Sequence, residues 1–301
     1  MMLRVAIPDL ISPSYFPAIA AVELGCFARE GFEAELSLLY PVTRTYEELR
    51  EGKLDFVGGA AHAALYAFKD WRGGKLLCAL AQNMYWFLVL KKAAGARAGD
   101  LHAVKGLRIG AAPGPVDGLK QMLKAAGIDP EREVTIGPVP GFTAGQTASF
   151  GLLAARALEE GKIDGFWANG MGAEVAVRHG IGTLVLDARR DASDEAKGYT
   201  FPALVTGQKM IDENPKAARA AVRAVVAAQN ALKEDPSRAT TIGRKLFPPA
   251  EASLIAELVR RDLPFYDAAI PRERVESMNR FARDLGLLSH PVAYEDVVAS
   301  L

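Results

Sequence analysis

The sequence predicts a two-lobed α/β protein, each lobe a mostly parallel sheet flanked by helices, with a two-strand hinge joining them. Three observations lead there. The chain has 301 residues, long for one hydrophobic core and comfortable for two. Short apolar strand patterns alternate with helix-period stretches, the order that builds parallel sheets covered by helices on both faces. The chain also repeats itself: LREGKLDFVGG at 49–59 returns as LEEGKIDGFWANG at 158–170, about a hundred residues later.

The repeat extends upstream. Strand patterns at Leu3 to Ile7 and Leu107 to Ala111 both open on Leu-Arg, each about fifty residues before its Glu-Gly-Lys copy. Each runs into a turn bearing Pro, Gly or Ser, then a helix-period stretch, then a glycine and a second strand. Features matched in one order read as a duplicated architecture. Within the copies, Glu47 to Glu51 and Leu153 to Glu160 favour helix. Gly52 and Gly161 can take the left-handed conformation that closes a helix, and Lys53 and Lys162 follow near its negative end. Leu54, Phe56 and Val57, and likewise Ile163, Phe166 and Trp167, supply a third, buried strand. Asp55 and Asp164 read as acceptors for nearby backbone amides rather than as catalysts.

Lys75 to Gln82 is a further strand pattern, and Tyr85 to Lys92 leads into the small-residue stretch AAGARAGD, the first crossing between lobes. The return falls at Tyr199 to Gly207. Lobe one is therefore expected at 1–92 and 198–301, and lobe two at 93–197. The tail is helical, from a small-residue helix between Pro215 and Pro236 through PAEASLIAELVRRDL and RERVESMNRFARDLGLL, and is expected to cover lobe one.

Composition narrows the function. Half the chain is hydrophobic and 24% is charged, which is globular. The 36 basic and 36 acidic residues cancel, so no bulk field recruits nucleic acid or anionic lipid. Basic residues lack aromatic interleaving, which also argues against nucleic acid. No apolar run approaches the length of a membrane span. Cys26 and Cys78 are either two buried free thiols or one disulfide, and neither they nor the histidines His102, His179 and His290 show metal-ligand spacing. No GxGxxG follows a strand, no P-loop occurs, and PSYFP is not a nucleophile elbow, so no cofactor, metal or catalytic residue is expected. MMLRVAIPDL carries Arg4 and Asp9 within its apolar run and lacks an export-signal pattern, which points to the cytoplasm if Met1 is the native start.

In open α/β sheets ligands sit beyond the carboxyl ends of the strands, and two facing sheets would bring those loops to one cleft. Lobe one contributes Ser12, Ser14 and Tyr15 after its first strand, Arg44 after its second and His62 after its third. Asn83 and Trp86 fall at the hinge; lobe two adds Pro113, Gly114, Gln146, Trp167 and Asn169. Arg44 is either a partner for a carboxylate or sulfonate or a solvated loop arginine. AAPGPVDG is either a helix start offering free amides to an anion or a plain tight turn. Ser12 and Ser14 either assist such an anion or cap their helix. His62 is either a ligand contact, an acid/base group, or a histidine packed at a helix start. Trp167 with Asn169 is either an aromatic wall beside an amide or core. Tyr85 and Trp86 would alternate along a strand, so that one of them faces the cleft.

These segments resemble a known family. SYFPAIAAVELGCFAREGFEAEL resembles the opening of the nitrate/sulfonate/taurine type of ABC-transporter substrate-binding protein, with its helix ending Leu-Gly-x-Phe followed by Glu-Gly-hydrophobic. LREGKLDFVGGAAHA is similar to that family's Gly-x-[Ile/Leu]-Asp-Phe and small-residue loop, VKGLRIGAAPGP to its opening of the second lobe, and FARDLGLLSHPVAYEDVV to its closing helix and tail. The resemblance covers nearly the whole chain. It implies a type II periplasmic-binding-protein-like fold and a monomer that captures a small organic ligand, an anion such as a sulfonate, carboxylate or aromatic acid, in the inter-lobe cleft. It also implies a periplasmic location and an ABC permease as partner, without direct membrane insertion. The alternatives are a cytoplasmic enzyme on the same scaffold with His62 as acid/base, akin to thiamin-precursor synthases or aromatic-acid decarboxylases, or a ligand sensor. The synthases' cysteine-rich iron-binding run is absent.

Overall fold

The computed structural model describes residues 1–141 and 149–301. In chain order it runs β1 (Met2–Ile7), α1 (Phe16–Glu23), α2 (Cys26–Arg29), β2 (Glu33–Leu38), α3 (Val42–Arg50), β3 (Phe56–Ala60), β4 (Gly74–Ala79) and β5 (Phe87–Lys91). Then follow β6 (Arg108–Ala111), α4 (Pro115–Ala125), β7 (Thr135–Gly137), α5 (Phe150–Glu159), β8 (Gly165–Ala168), α6 (Gly170–Arg178), β9 (Gly182–Asp187), α7 (Ala188–Asp191) and α8 (Asp194–Lys197). The chain closes with β10 (Pro202–Gly207), α9 (Gln208–Glu213), α10 (Pro215–Glu234), α11 (Arg238–Leu246), α12 (Pro249–Asp262), α13 (Arg272–Asp284) and α14 (Tyr294–Val297).

The chain divides into two compact units, Met1–Asn83 with Gly198–Leu301, and Met84–Lys197. The first break falls between Asn83 and Met84, ahead of Lys92, because β5 pairs with β8 and β9 and so belongs wholly to the second unit.

The first unit holds a five-stranded sheet in the order β2-β1-β3-β10-β4. β1 runs parallel to β2 and β3, and β10 enters antiparallel to β3 and β4. Helix α10 lies against α1 and α2. Its buried stripe includes Ala217, Ala221, Ala224 and Ala228, small side chains that let helix backbones approach closely. Gln229 is buried in the same face and donates to the carbonyls of Ala79 and Leu80 at 3.2 and 3.0 Å. Helix α13 packs on the 3₁₀ turn that follows β3, and α14 on β4.

The second unit repeats the plan, with strand order β7-β6-β8-β5-β9 and β5 as the antiparallel intruder. The repeated heptads end α3 and α5 alike. Gly52 and Gly161 have φ of 75° and 70°. Lys53 and Lys162 return their amides to the carbonyls of Glu48 and Ala157 at 3.0 and 2.9 Å. These are Schellman closures, which need a left-handed residue at that position.

Cys26 and Cys78 are both buried free thiols, so the disulfide alternative falls. Cys26 opens α2. Burial pushes the Cys78 thiol up to about 12, so it stays protonated and inert.

Candidate functional site

Each unit gathers polar and aromatic side chains at the carboxyl ends of its parallel strands. In the first unit β1 leads into the segment 8–15, which is irregular yet largely buried. Asp9 Oδ1 accepts the Ile11 amide at 3.0 Å, bending the chain. Tyr266, from the segment after α12, donates its hydroxyl to the Pro13 carbonyl at 2.5 Å and pins the loop. Ser14 and Tyr15 are buried at 1% and 4% exposure. Ser12 is fully buried, and its Oγ has no hydrogen-bond partner among the described residues. An orphan buried hydroxyl costs about 1–3 kcal/mol, and native folds keep few such groups without a use. Tyr40 stands nearby: burial, and then the charge of Asp9, push its phenol above the usual value, so it remains a hydrogen-bond donor.

The other first-unit candidates are placed differently. Arg44 lies on the outer face of α3, 56% exposed, with Nε 3.4 Å from Glu48 one turn on. Its neighbours Val42, Thr45, Tyr46 and Leu49 take the buried face. His62 is fully buried at the start of the 3₁₀ turn after β3. Its Nδ1 sits 2.9 Å from Thr200 Oγ1, and its ring meets Phe281 edge-on at 5.4 Å. Asn83, at the end of the unit, is 9% exposed in a left-handed conformation, φ 66°.

In the second unit the antiparallel insertion of β5 decides what meets what. Phe87 pairs with both Ala168 and Asp187, so the segment before β5 arrives where β8 and β9 end. Tyr85 and Trp86 precede the strand rather than alternating along it. Both are buried, their rings 4.5 Å apart at 37°. Trp86 continues to Trp167 at 6.1 Å, and the Trp167 indole donates to the Pro115 carbonyl at 2.9 Å, tying β8 to the start of α4. Asn169 spends its Oδ1 capping α6, accepting from Met171 and Gly172 at 3.0 and 3.2 Å.

The turn at Pro113 and Gly114 bonds its first amides within the turn itself. Pro115 has no amide proton, Val116 donates to Ala112 and Asp117 to Gly114 at 3.0 and 3.1 Å, and the Asp117 carboxylate lies buried in the first turn. A negative charge there opposes an anion. Gln146 lies outside the described residues.

Sequence reasoning missed Arg189. It follows β9 in α7, is 1% exposed, and carries its guanidinium 5.7 Å from the centre of the Tyr85 ring. The signal was an arginine just after a buried strand. Thr200 and Tyr266 were missed as well, because their partners lie far off in sequence.

Among the described residues, no group of His, Cys, Asp and Glu could hold a metal, and no helix is long and apolar enough to cross a membrane.

Two five-stranded sheets, each with one antiparallel intruder and helices on its faces, define the periplasmic-binding-protein-like class of α/β fold. Within it, the NMT1-like family model matches residues 12–244, and the chain belongs to that family. Solved structures agree on the fold. The alkanesulfonate-binding protein SsuA from Xanthomonas axonopodis pv. citri, bound to MOPS, superposes with a TM-score of 0.75 at 12% identity, covering 96% of this chain and 94% of its own. The periplasmic nitrate-binding protein NrtA from Synechocystis PCC 6803 gives 0.75 at 15% identity, covering 98% and 83%. A variant of the desulfurization enzyme DSZB in complex with biphenyl-2-sulfinic acid gives 0.68 at 15% identity, covering 99% and 96%. No curated protein sequence matches the chain. The resemblance read from the sequence holds for family and fold.

Proposed function

We propose that this protein binds a small organic anion, a sulfonate, carboxylate or aromatic acid, as the solute-capturing component of an ABC-type importer, with a permease as its partner. The observation that carries the reading is the enclosed Ser12 Oγ in the buried loop between β1 and α1, unpartnered among the described residues. A hydroxyl so placed gives up its hydrogen bond in the bare protein and recovers it on a ligand oxygen. Tyr15 and Tyr40 add aromatic and donor character in the first unit. In the second, Tyr85 and Trp86 add aromatic rings, backed by Trp167, and Arg189 a positive charge beside Tyr85. That pairing of rings with a cation suits an anion with a planar or apolar body. The alkanesulfonate- and nitrate-binding proteins of the same fold favour an anion.

A thermal-shift screen against alkanesulfonates, nitrate and aromatic carboxylates tests the reading, since a ligand of the native state raises the melting temperature. One class should stabilise the protein, and Ser12→Ala should weaken that ligand about tenfold. Full retention of affinity in Ser12→Ala would remove this loop from the site. The DSZB likeness supports a second reading, an enzyme on the same scaffold. Chromatography of the stabilising ligand after incubation separates the two: recovery unchanged favours capture, a new product favours catalysis.

A further inference from the structure

A cavity of about 620 Å³ opens in the first unit beside Arg4, Asp55 and Gly207. These residues lie at the amino ends of the parallel strands, the end of the sheet opposite the Ser12 loop. Its size is that of a small-molecule site.

The repeat explains why there is space. In the second unit Lys91 ends β5 opposite Gly182, and its Nζ reaches Asp164 at 2.8 Å. The corresponding residue in the first unit is Gly207, which ends β10 opposite Gly74. Matching bulges, between Leu88 and Val89 and between Leu204 and Val205, put the two positions in the same register. A Cβ on Gly207 would meet only the Gly73 carbonyl oxygen, at 3.7 Å. Where one unit inserts a lysine, the other leaves room.

The charges around that room favour an anion. Arg4 occupies Asp55 through two guanidinium bonds of 3.0 and 2.9 Å. Arg50 donates to the Ala67 carbonyl at 3.1 Å and pairs with no carboxylate among the described residues. Arg72 also stands at the rim, paired with Asp70 at 3.3 Å, and Lys209 lies 3.9 Å from Glu213. That leaves Arg50 as the lining side-chain cation without a carboxylate among the described residues. Leu54 and Phe68 give an apolar wall. An arginine without a carboxylate beside apolar surface recognises a carboxylate or sulfonate head with a hydrocarbon tail.

We propose that this cavity is a second binding site, for a small organic anion with a short apolar tail, separate from the Ser12 loop and independent of the solute captured there. Octanoate is the probe, titrated into protein carrying ¹³C-methyl methionine, because Met210 lines the cavity. The Met210 methyl resonance should shift saturably. Gly207→Lys, which installs the second unit's plug without a backbone clash, should weaken octanoate by about tenfold or more, and Arg50→Gln should weaken it several-fold. Ser12→Ala should leave the Met210 titration unchanged. The proposal is overturned by a Met210 resonance that stays still, by unaltered octanoate affinity in a folded Gly207→Lys, or by loss of the titration in Ser12→Ala. Melting curves of each variant confirm folding, so that loss of binding is not read from an unfolded chain.

Discussion

The two units share a clip and differ in what surrounds it. In the first, Arg4 grips Asp55 with Nε and Nη2 while its own amide donates to the same carboxylate at 2.8 Å and Nη2 also reaches the Gly52 carbonyl at 3.0 Å. In the second, Arg108 does the same to Asp164 and Gly161, bond for bond. Thus the Leu-Arg that opens each half and the Asp that closes each heptad are partners. The clip joins the first strand of each sheet to the segment feeding the third.

Past the clip the units diverge. Register places Gly58 of β3 where β8 has Trp167, and Gly59 where β8 has Ala168. A Cβ on Gly59 would come within 2.8 Å of Tyr46 Oη, the hydroxyl that donates to the Ala60 carbonyl at 2.9 Å. The first unit therefore uses glycine to bring a helix against its third strand. The second fills the same level with an indole. At the opposite end, the second unit has Lys91 at the position where the first has Gly207. Like residues hold the scaffold, and unlike residues stand at the strand ends.

This contrast gives graded predictions. Trp167→Ala should cost about 3–5 kcal/mol, the penalty for emptying a fully buried aromatic site, read as an earlier urea transition. The second unit should be the one to melt first, monitored by hydrogen exchange of β8 against β3. Equal loss of protection in both strands would show that the units do not unfold separately.

The next effect concerns acid. The Arg108 guanidinium, backed by Lys91, holds the Asp164 carboxyl well below the usual carboxylate range. A depressed folded pKa means the clip's contribution is complete above the unfolded value of about 4 and is lost as the pH falls below it. Wild-type stability should therefore drop on acidification from about pH 4 downward. In Asp164→Asn that drop should be shallower, with stability already lower at neutral pH. An identical acid profile in the variant would show that other carboxylates govern it. At neutral pH Asp164→Asn should also cost more than Asp55→Asn, since only Asp164 carries the additional lysine.

The smallest effect is the exchange at the plug. Lys91→Gly should lower stability, and Gly207→Lys raise it, by about 0.5 kcal/mol each, as expected for partly exposed ion pairs. A destabilised Gly207→Lys would mean that the space beside Asp55 cannot admit the side chain.

Much of this was legible in the chain. The heptad predicted both helix ends and both third strands, because a glycine after a helix-favouring run is a local signal that needs no tertiary context. The Ser12, Ser14 and Tyr15 loop was found from the rule for strand ends, and the structure buries all of them. Arg44 takes the outer face of α3 beside Glu48, and the first amides of α4 bond within their own turn. Neither a helix face nor a turn's internal bonding is visible as a motif. The pairing of Tyr85 with Trp86 was misread because strand and pre-strand residues look alike until the partner register is known.

Local chemistry, then, wrote the element order, the paired closures of α3 and α5, and the duplicated plan, since each depends on residues within a few positions of one another. Long-range packing chose the rest. Arg4 meets Asp55 and Arg108 meets Asp164 across more than fifty residues, Arg189 comes to lie over Tyr85, and Ser12 Oγ is enclosed without a partner among the described residues. Such contacts follow from how strands insert and register, and a side chain's neighbours across a sheet are not encoded by its neighbours along the chain.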